Sequence, residues 1–308
     1  MIVVVCPGQG SQTPGFMSPW LELPSFRKSI EQMQSASGIN LIEHGTTSDA
    51  DTIRDTAVAQ PLIVAAGVAT LSALLNGATL KDAGVSGVSG HSVGEITAAV
   101  AAGVFSAETG IKFVNERGQA MAKAAALEPT SMAAILGGDQ SEVEAKLAEL
   151  DLEPANYNGS GQIVAAGSLA AINELQANPL AGTRVIPLQV AGAFHTRFMK
   201  PAVETLREYS KTVEIHDPAV KLWSNNGGRQ IASGSEFVEL LVNQVSSPVR
   251  WDLCMAAMVE AGVTAVIELA PAGTLVGLAK RAMPGIETLA VKTPENLEAA
   301  LSLIDNHR

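Results

Sequence analysis

Ser92 lies between two glycines in the stretch GHSVGE, and its surroundings suit a nucleophile. Residues 90–94 fit the G-x-S-x-G pattern of a nucleophile elbow, a tight turn that joins a strand to a helix. The flanking positions must be small because side chains there would clash in so tight a turn. The helix that follows would offer N–H groups and the positive end of its dipole to developing negative charge. The pattern favours a serine nucleophile over the alternative, a plain glycine-rich bend.

A serine nucleophile needs a base, and His195 is the best placed of the five histidines. In VAGAFHTRFMKP it follows a strand and a small-residue turn and precedes a helix, where the sites of α/β proteins gather. His91 is adjacent to the serine and is expected to point away from it and support the turn. His216 and His307 are expected to be solvated, and His44 has no evident partner. We therefore predict that His195 is the base.

An arginine occurs on the apolar side of a predicted helix. Over residues 107–126, a period of 3.6 residues brings Ile111, Val114 and Met121 near one face, with Arg117 between them. A buried arginine is costly unless an anion pairs with it. Arg117 is therefore a candidate for binding an anionic group.

The glycine-rich loop PGQGSQTPG, residues 7–15, directly follows the first predicted strand. It lacks the Walker A pattern and the third glycine of the dinucleotide fingerprint. It is either a plain turn or a loop that presents a backbone N–H, for instance that of Gln9, to an oxyanion near Ser92. No Cys/His cluster or H-E-x-x-H pattern predicts a metal site.

The elements that must position these residues are those of an α/β protein. The 308 residues are 47% hydrophobic and only 4% aromatic, which suits an aliphatic parallel sheet covered by Ala-rich helices. Strand–turn–helix units recur, as in IVVVC before PGQGSQTPG and VSGVSG before HSVGEITAAVAAGV. We expect an α/β-hydrolase-like large domain with a parallel central sheet, formed by residues 1–127 and 193–308.

Between residues 128 and 192 the pattern changes to strand, helix, strand, strand, helix, strand. This is the order of a ferredoxin-like unit, so we expect a small ferredoxin-like inserted domain over 128–192.

Net charge and cysteine content restrict the binding partners and the cellular compartment that we expect. The net charge of −11 argues against binding to nucleic acid or to an acidic membrane surface. Cys6 and Cys254 lie in apolar contexts, which favours buried thiols in a reducing compartment. The segment PLIVAAGVATLSALL is shorter than a membrane span and predicts a buried helix, and the N-terminus predicts a strand rather than a signal peptide. We expect a cytoplasmic protein.

Five motifs in order resemble those of one enzyme family: PGQGSQ, GHSVGE, RGQAM, NGSGQIVAAG and GAFHTRFMKPA. Together with SPVRWD and IELAPAGTL they resemble the malonyl-CoA:acyl carrier protein transacylases of type II fatty-acid synthesis. They are also similar to the acyltransferase domains of polyketide synthases. The resemblance extends from residue 3 to about residue 293.

The resemblance implies a role for each matching position. Ser92 would take the malonyl group as an ester, and His195 would activate first the serine and then the carrier protein's phosphopantetheine thiol. Arg117 would bind the malonyl carboxylate, and the backbone N–H groups of Gln9 and Val93 would form the oxyanion hole. The resemblance further implies a monomer without a cofactor, whose partners are malonyl-CoA and acyl carrier protein.

Three further positions are carried over from the resemblance. Gln60 would line the acyl pocket. The main-chain carbonyl of Arg250, before the tryptophan of SPVRW, would orient the histidine. Phe194, in the AFH tripeptide of malonyl-selective polyketide acyltransferases, would fill the space that an α-methyl group needs.

Two other functions use parts of the same pattern. A serine hydrolase such as a thioesterase would have the same elbow, but a hydrolase of neutral acyl chains would have no use for a buried cation at Arg117. A non-catalytic module that binds carrier proteins would need no nucleophile. Among basic residues near the motifs, Arg197, Lys200, Lys280 and Arg281 are either docking residues for an acidic carrier protein or ordinary solvated charges.

Overall fold

The computed structural model describes residues 1–307, and in this part of the chain helices pack around two β-sheets. The strands are β1 (Ile2–Cys6), β2 (Gly87–Gly90), β3 (Thr130–Leu136), β4 (Glu153–Gly159), β5 (Gln162–Ser168), β6 (Arg184–Pro187), β7 (Lys221–Trp223), β8 (Gln230–Ile231), β9 (Val249–Arg250), β10 (Ala265–Glu268) and β11 (Glu287–Ala290).

The α-helices are α1 (Pro24–Ser37), α2 (Leu41–Thr46), α3 (Thr56–Leu75), α4 (Gly94–Ala102), α5 (Ala107–Ala125), α6 (Gln140–Glu149), α7 (Leu169–Ala177), α8 (Lys200–Ser210), α9 (Gly234–Gln244), α10 (Trp251–Glu260), α11 (Thr274–Ala282) and α12 (Leu297–Asn306). Short 3-10 helices span Trp20–Glu22, Thr52–Arg54, Arg197–Met199 and Pro294–Asn296.

The larger sheet has the strand order β11-β10-β1-β2-β7-β8. Its neighbouring strands are parallel except for the last pair, β7 and β8. Every residue of β1 and β2 is buried, as expected of parallel strands that are covered on both faces. The loops that follow β1, β2 and β7 therefore lie side by side at one edge of the sheet.

The smaller sheet has the order β6-β3-β5-β4-β9 and is antiparallel except between β4 and β9. The elements β3-α6-β4-β5-α7-β6 follow the strand and helix order that the sequence predicts for residues 128–192. Strand β9, however, comes from outside that segment and pairs Val249 with Asn156 and Arg250 with Tyr157. The smaller sheet is thus joined directly to the rest of the chain.

Helix α3 is apolar on all sides and lies in the core. It begins five residues before the apolar segment that predicts it, and its 20 residues are long and apolar enough to span a membrane. In the fold, 78% of its most apolar window is buried, which is typical of a core helix. The prediction of a buried helix is confirmed, and the helix is longer than the apolar segment that predicts it.

The turn between β2 and α4 is closed by two glycines. Ser92 has φ +52°, in the left-handed region that side chains rarely adopt. A Cβ atom on Gly90 would overlap the backbone of Gly94, and one on Gly94 would overlap the carbonyl oxygen of Cys6. The turn can therefore approach β1 this closely only with glycine at both positions.

We predict that Gly94→Ala lowers the free energy of unfolding by about 1–3 kcal/mol, because the methyl group forces β1 and α4 apart. Urea denaturation of the variant measures this. Gly277→Ala is the matched control, since its Cβ would meet nothing within 4 Å and the helix α11 should gain up to about 1 kcal/mol. Equal stability of the two variants would contradict the steric argument.

Candidate active site

Ser92 and His195 form a hydrogen-bonded pair at the edge of the larger sheet. Ser92 Oγ lies 2.7 Å from His195 Nε2, although the two residues are 103 positions apart. Both side chains are buried, and both residues have positive φ, +52° and +64°. The structure thus brings together the predicted nucleophile and the predicted base.

The main-chain carbonyl of Gln244 orients the histidine. His195 Nδ1 lies 2.8 Å from this oxygen, which can only accept, so Nδ1 carries the proton and Nε2 is free to take one from the serine. Gln244 is the last residue of α9, where carbonyls lack an intrahelical partner and can serve another group.

The prediction that the Arg250 carbonyl orients the histidine is therefore wrong by six residues. The chain turns between α9 and α10, which leaves the end of α9 at the histidine and Arg250 at the smaller sheet. The Arg250 guanidinium binds both carboxylate oxygens of Asp252, at 2.9 and 2.7 Å, and lies 4.4 Å above the ring of Tyr157. The Arg250 side chain thus stabilises the packing of β9 and does not contact the Ser92–His195 pair.

Burial determines the protonation state of the base. Burial and, to a lesser degree, the nearby Arg117 guanidinium lower the pKa of His195 to about 3. The imidazole is consequently neutral at ordinary pH and able to accept a proton. The hydrogen bond to the Gln244 carbonyl acts in the opposite direction, because it stabilises the charged imidazolium.

Arg117 is a buried cation that directly contacts neutral amides. Its side chain is 1% exposed; Nη1 donates to Gln60 Oε1 at 2.6 Å and Nη2 donates to Gln244 Oε1 at 2.8 Å. Its Nε has no partner within the described residues. Burial lowers the pKa of Arg117 to about 10, so the guanidinium stays charged at neutral pH. A buried cation with an unpaired N–H is suited to binding an anion.

One cavity of about 90 Å³ unites most of the predicted site. The predicted site residues that line it are Gln9, Gln60, Ser92, Arg117, Phe194 and His195. Val93, the other residue predicted for an oxyanion hole, is buried at the start of α4. A second cavity of about 220 Å³ shares lining residues with the first and continues along the amide side chains of Asn156, Asn158 and Gln162.

Two further buried side chains hold the site together and were not foreseen from the sequence. Asn225, in the loop after β7, accepts from Ser92 N at 2.8 Å and donates to Gly90 O at 2.7 Å. Glu95, in α4, accepts from Asn225 N at 2.5 Å and from Gln244 Nε2 at 2.6 Å. A signal existed for Glu95, which ends the motif GHSVGE, and a weaker one for Asn225, a polar residue directly after a strand.

The remaining histidines are outside the reacting pair. His91 turns away from the serine as predicted: its Nε2 lies 2.9 Å from Asn158 Oδ1 and its ring packs against Trp251. His216 is exposed, as predicted. The predictions for the other two are wrong. His44 Nδ1 lies 3.0 Å from Ser48 Oγ, and the mostly buried His307 contacts Thr264 and Glu287.

The arrangement has the parts of an acyl-transfer site. A hydroxyl bonded to a neutral imidazole, which is itself oriented by an acceptor, can form a covalent acyl intermediate. The buried guanidinium beside it would select an acyl group that carries a second, negatively charged end.

Comparison with known proteins agrees with this chemistry. The acyl transferase domain family matches residues 3–294. The chain is 47% identical to the malonyl CoA-acyl carrier protein transacylase of Mycobacterium tuberculosis, over 98% of this chain and 100% of that protein. The crystal structure of MCAT from Mycobacterium tuberculosis superposes with a TM-score of 0.94 at 47% identity, over 98% of this chain and 99% of that one.

A third relative has been solved together with a carrier protein. It is described as a type II PKS acyl-carrier protein in complex with its malonyl-transacylase, PlMCAT:AntF. The similarity has a TM-score of 0.91 at 28% identity and covers 98% of this chain and 99% of that chain.

We predict that Asn225→Ala lowers the free energy of unfolding by about 1–3 kcal/mol, because it leaves the buried Ser92 N–H and Gly90 carbonyl without their partner. We also expect a fluorophosphonate probe to label Ser92 roughly 10-fold to 100-fold more slowly, since the turn that aims Oγ is loosened. Asn226→Ala, at the exposed neighbouring position, is the control. Unchanged labelling in Asn225→Ala would show that the amide does not position the nucleophile.

Proposed function

Because the chain belongs to the acyl transferase domain family, we propose that it moves a malonyl group from coenzyme A to the phosphopantetheine thiol of acyl carrier protein. The observation that carries the proposal is the buried Arg117 guanidinium in the same cavity as the Ser92–His195 pair. A cation in that position has a use only if the acyl group carries an anion.

In the first half of the proposed reaction, Ser92 Oγ attacks the thioester carbonyl while His195 Nε2 takes its proton. The C–S bond then breaks, and the coenzyme A sulfur leaves with the proton from the imidazolium. The Gln244 carbonyl supports the transient charge on the imidazolium. We assign the oxyanion hole to the backbone N–H groups of Gln9 and Val93.

The second half reverses these steps on a different thiol. The phosphopantetheine sulfur attacks the malonyl ester as His195 accepts the thiol proton. The ester C–O bond breaks, and the proton returns to Ser92 Oγ. This is a ping-pong mechanism with a malonyl-seryl intermediate, and it uses no cofactor beyond the groups that the substrates supply.

Arg117 selects the acyl group in this proposal. Gln60 and Gln244 hold the guanidinium through their side-chain oxygens, and the Nε–H is available to the malonyl carboxylate. Phe194 lies in the wall of the cavity and would oppose an α-methyl group. One methyl group changes the discrimination by only about 1–3 kcal/mol, so Phe194 refines a choice that the cation dominates.

The second cavity is the proposed path of the pantetheine arm. Its amide side chains can pair with the amides of pantetheine, and Leu275 and Leu278 of α11 form one wall. Lys280 and Arg281 at the exposed end of the same helix would face an acidic carrier protein, as would Lys200. Arg197 is a weaker candidate because Asp151 and Glu153 already bind its guanidinium, each at 2.6 Å.

We place the enzyme in fatty-acid biosynthesis in the cytoplasm, as a monomer, with supply of malonyl groups to polyketide synthesis as a further use. We interpret residues 1–127 and 193–308 as an α/β-hydrolase-like catalytic domain and residues 128–192 as a ferredoxin-like insert. The parallel larger sheet and the element order from β3 to β6 support this division.

The experiment that tests the function is mass spectrometry of the protein after mixing with malonyl-CoA. We expect one malonyl adduct on Ser92, which is lost on addition of holo acyl carrier protein as the carrier gains the same mass. Thr97→Ser, elsewhere on α4, serves as a folded control that should still form the adduct. Either an adduct that survives in Ser92→Ala or no adduct at all would refute the proposed serine mechanism.

A second prediction separates the transferase from a thioesterase. Arg117→Ala should lower kcat/KM for malonyl transfer about 10-fold to 100-fold, because it removes a hydrogen bond to a charged group worth about 1.5–3 kcal/mol. Acetyl transfer should be unchanged or faster, which also shows that the variant is folded. Lys123→Ala, an exposed position on the same helix, is the control. An equal loss on both acyl groups would count against carboxylate binding.

A further inference from the structure

Glu95 is a buried carboxyl group that the proposed reaction does not use. It lies three residues after the nucleophile in α4, and its side chain is 1% exposed. Each of its oxygens is engaged: Oε1 accepts from Asn225 N, and Oε2 accepts from Gln244 Nε2 at 2.6 Å. A carboxyl group is seldom buried this deeply without an ionic or chemical reason.

The side chain of Gln244 connects this carboxyl group to Arg117. Because arginine has only donors, the amide oxygen of Gln244 must face Arg117 and the amide nitrogen must face Glu95. The main-chain carbonyl of Gln244 accepts a hydrogen bond from His195 Nδ1. The position of Gln244, and with it the positions of the base and the cation, therefore depends on the acceptor that Glu95 provides.

Glu95 is also an indirect counter-ion for Arg117, because the side chain of Gln244 forms hydrogen bonds with both groups. The other titratable groups around the site are Arg117, His91, His195, Cys6 and Cys254, and of these Arg117 and Cys254 interact electrostatically with Glu95. Burial lowers the pKa of both histidines and raises the pKa of both thiols, that of Cys254 to about 12. Between pH 7 and pH 9, Glu95 is thus the member of this cluster whose charge changes most, because burial lowers the pKa of Arg117 only to about 10.

We propose that Glu95 is a positioning residue that acts through Gln244, and that its ionised form offsets the charge of Arg117 in the empty site and takes up a proton when the malonyl carboxylate binds. The inference rests on the proposed function, because it requires an acyl group with a carboxylate. With that anion at Arg117, an ionised Glu95 would leave the buried site with a net negative charge, and one proton restores its balance.

Burial raises the pKa of Glu95 to about 8, while the hydrogen bond from Asn225 and the charge of Arg117 act to lower it. A carboxylate bound to Arg117 would cancel the effect of the Arg117 charge, so the pKa of Glu95 would rise further in the complex. Below pH 8 Glu95 is already protonated, and binding takes up little. Above pH 8 the empty site is ionised, so uptake approaches one proton and malonyl binding weakens by up to about tenfold per pH unit.

The test is calorimetric titration of the Ser92→Ala variant, which cannot be acylated, with malonyl-CoA in two buffers of different ionisation enthalpy. At pH 7, 8 and 9 we expect uptake of about 0.1, 0.5 and 0.9 protons, from a pKa of about 8 in the empty site. Acetyl-CoA, which has the same coenzyme but no distal carboxylate, should give no uptake. Equal uptake with the two ligands would overturn the proposal.

The double variant Ser92→Ala, Glu95→Gln assigns the proton. We expect its uptake to vanish and its Kd for malonyl-CoA to stay constant between pH 7 and pH 9, whereas a merely structural role would weaken binding equally at every pH. Ser92→Ala, Glu268→Gln is the matched control. It alters another buried carboxyl group, which accepts hydrogen bonds from the backbone N–H groups of Gly273, Leu275 and Val276. This variant should retain the proton uptake.

Uptake that persists in the Glu95→Gln background would assign the proton elsewhere and refute the role of Glu95. If that variant does not fold, equal proton uptake with malonyl-CoA and acetyl-CoA in the Ser92→Ala parent would still overturn the proposal. Failure of the proposed function would be recognised separately, as absence of the malonyl adduct on the unaltered protein.

Discussion

Two hydrogen bonds of one residue, Gln244, fix the base and the cation relative to each other. Its backbone carbonyl accepts from His195 Nδ1 and its side-chain oxygen accepts from Arg117 Nη2, both at 2.8 Å. Because both acceptors belong to the last residue of α9, neither group can move far without the other. The separation between the base and the cation is therefore set by the covalent geometry of a single residue.

The larger sheet supplies the frame for this residue. The loops after β1, β2 and β7 meet at its carboxyl edge, where α/β proteins bind their ligands. Gly94 packs against the carbonyl of Cys6, and Asn225 bonds the backbone on both sides of the turn, at Gly90 and Ser92. Segments more than 130 residues apart thus hold the same turn in place. Contacts from the ends of two neighbouring strands stabilise the left-handed backbone conformation of Ser92.

Much of the fold and the reacting pair could be predicted from the sequence, because the signals are local. The elbow, the amphipathic α5 and the alternation of strands and helices each lie within about 20 residues, and resemblance to a family linked Ser92 to His195. The orienting carbonyl could not be located in this way, since every residue has one and only the turn after α9 decides that Gln244, not Arg250, reaches the histidine. Asn225 was missed for the same reason: its role arises from strand pairing and leaves no periodic pattern.

In the proposed function, a neutral carbonyl is suited to orienting His195 because Arg117 carries a positive charge. In a hydrolase triad a carboxylate holds the histidine, but a carboxylate at that place would lie beside the guanidinium and compete with the substrate for it. A carbonyl provides the same geometry without a second anion. Glu95 does not contact Arg117 directly, because the side chain of Gln244 lies between them. In its ionised form it can offset the charge of Arg117 without occupying the N–H group that a substrate would need. In the proposed function, this separation between the group that orients His195 and the counter-ion of Arg117 allows one small cavity to combine a nucleophile with selection for a charged acyl group.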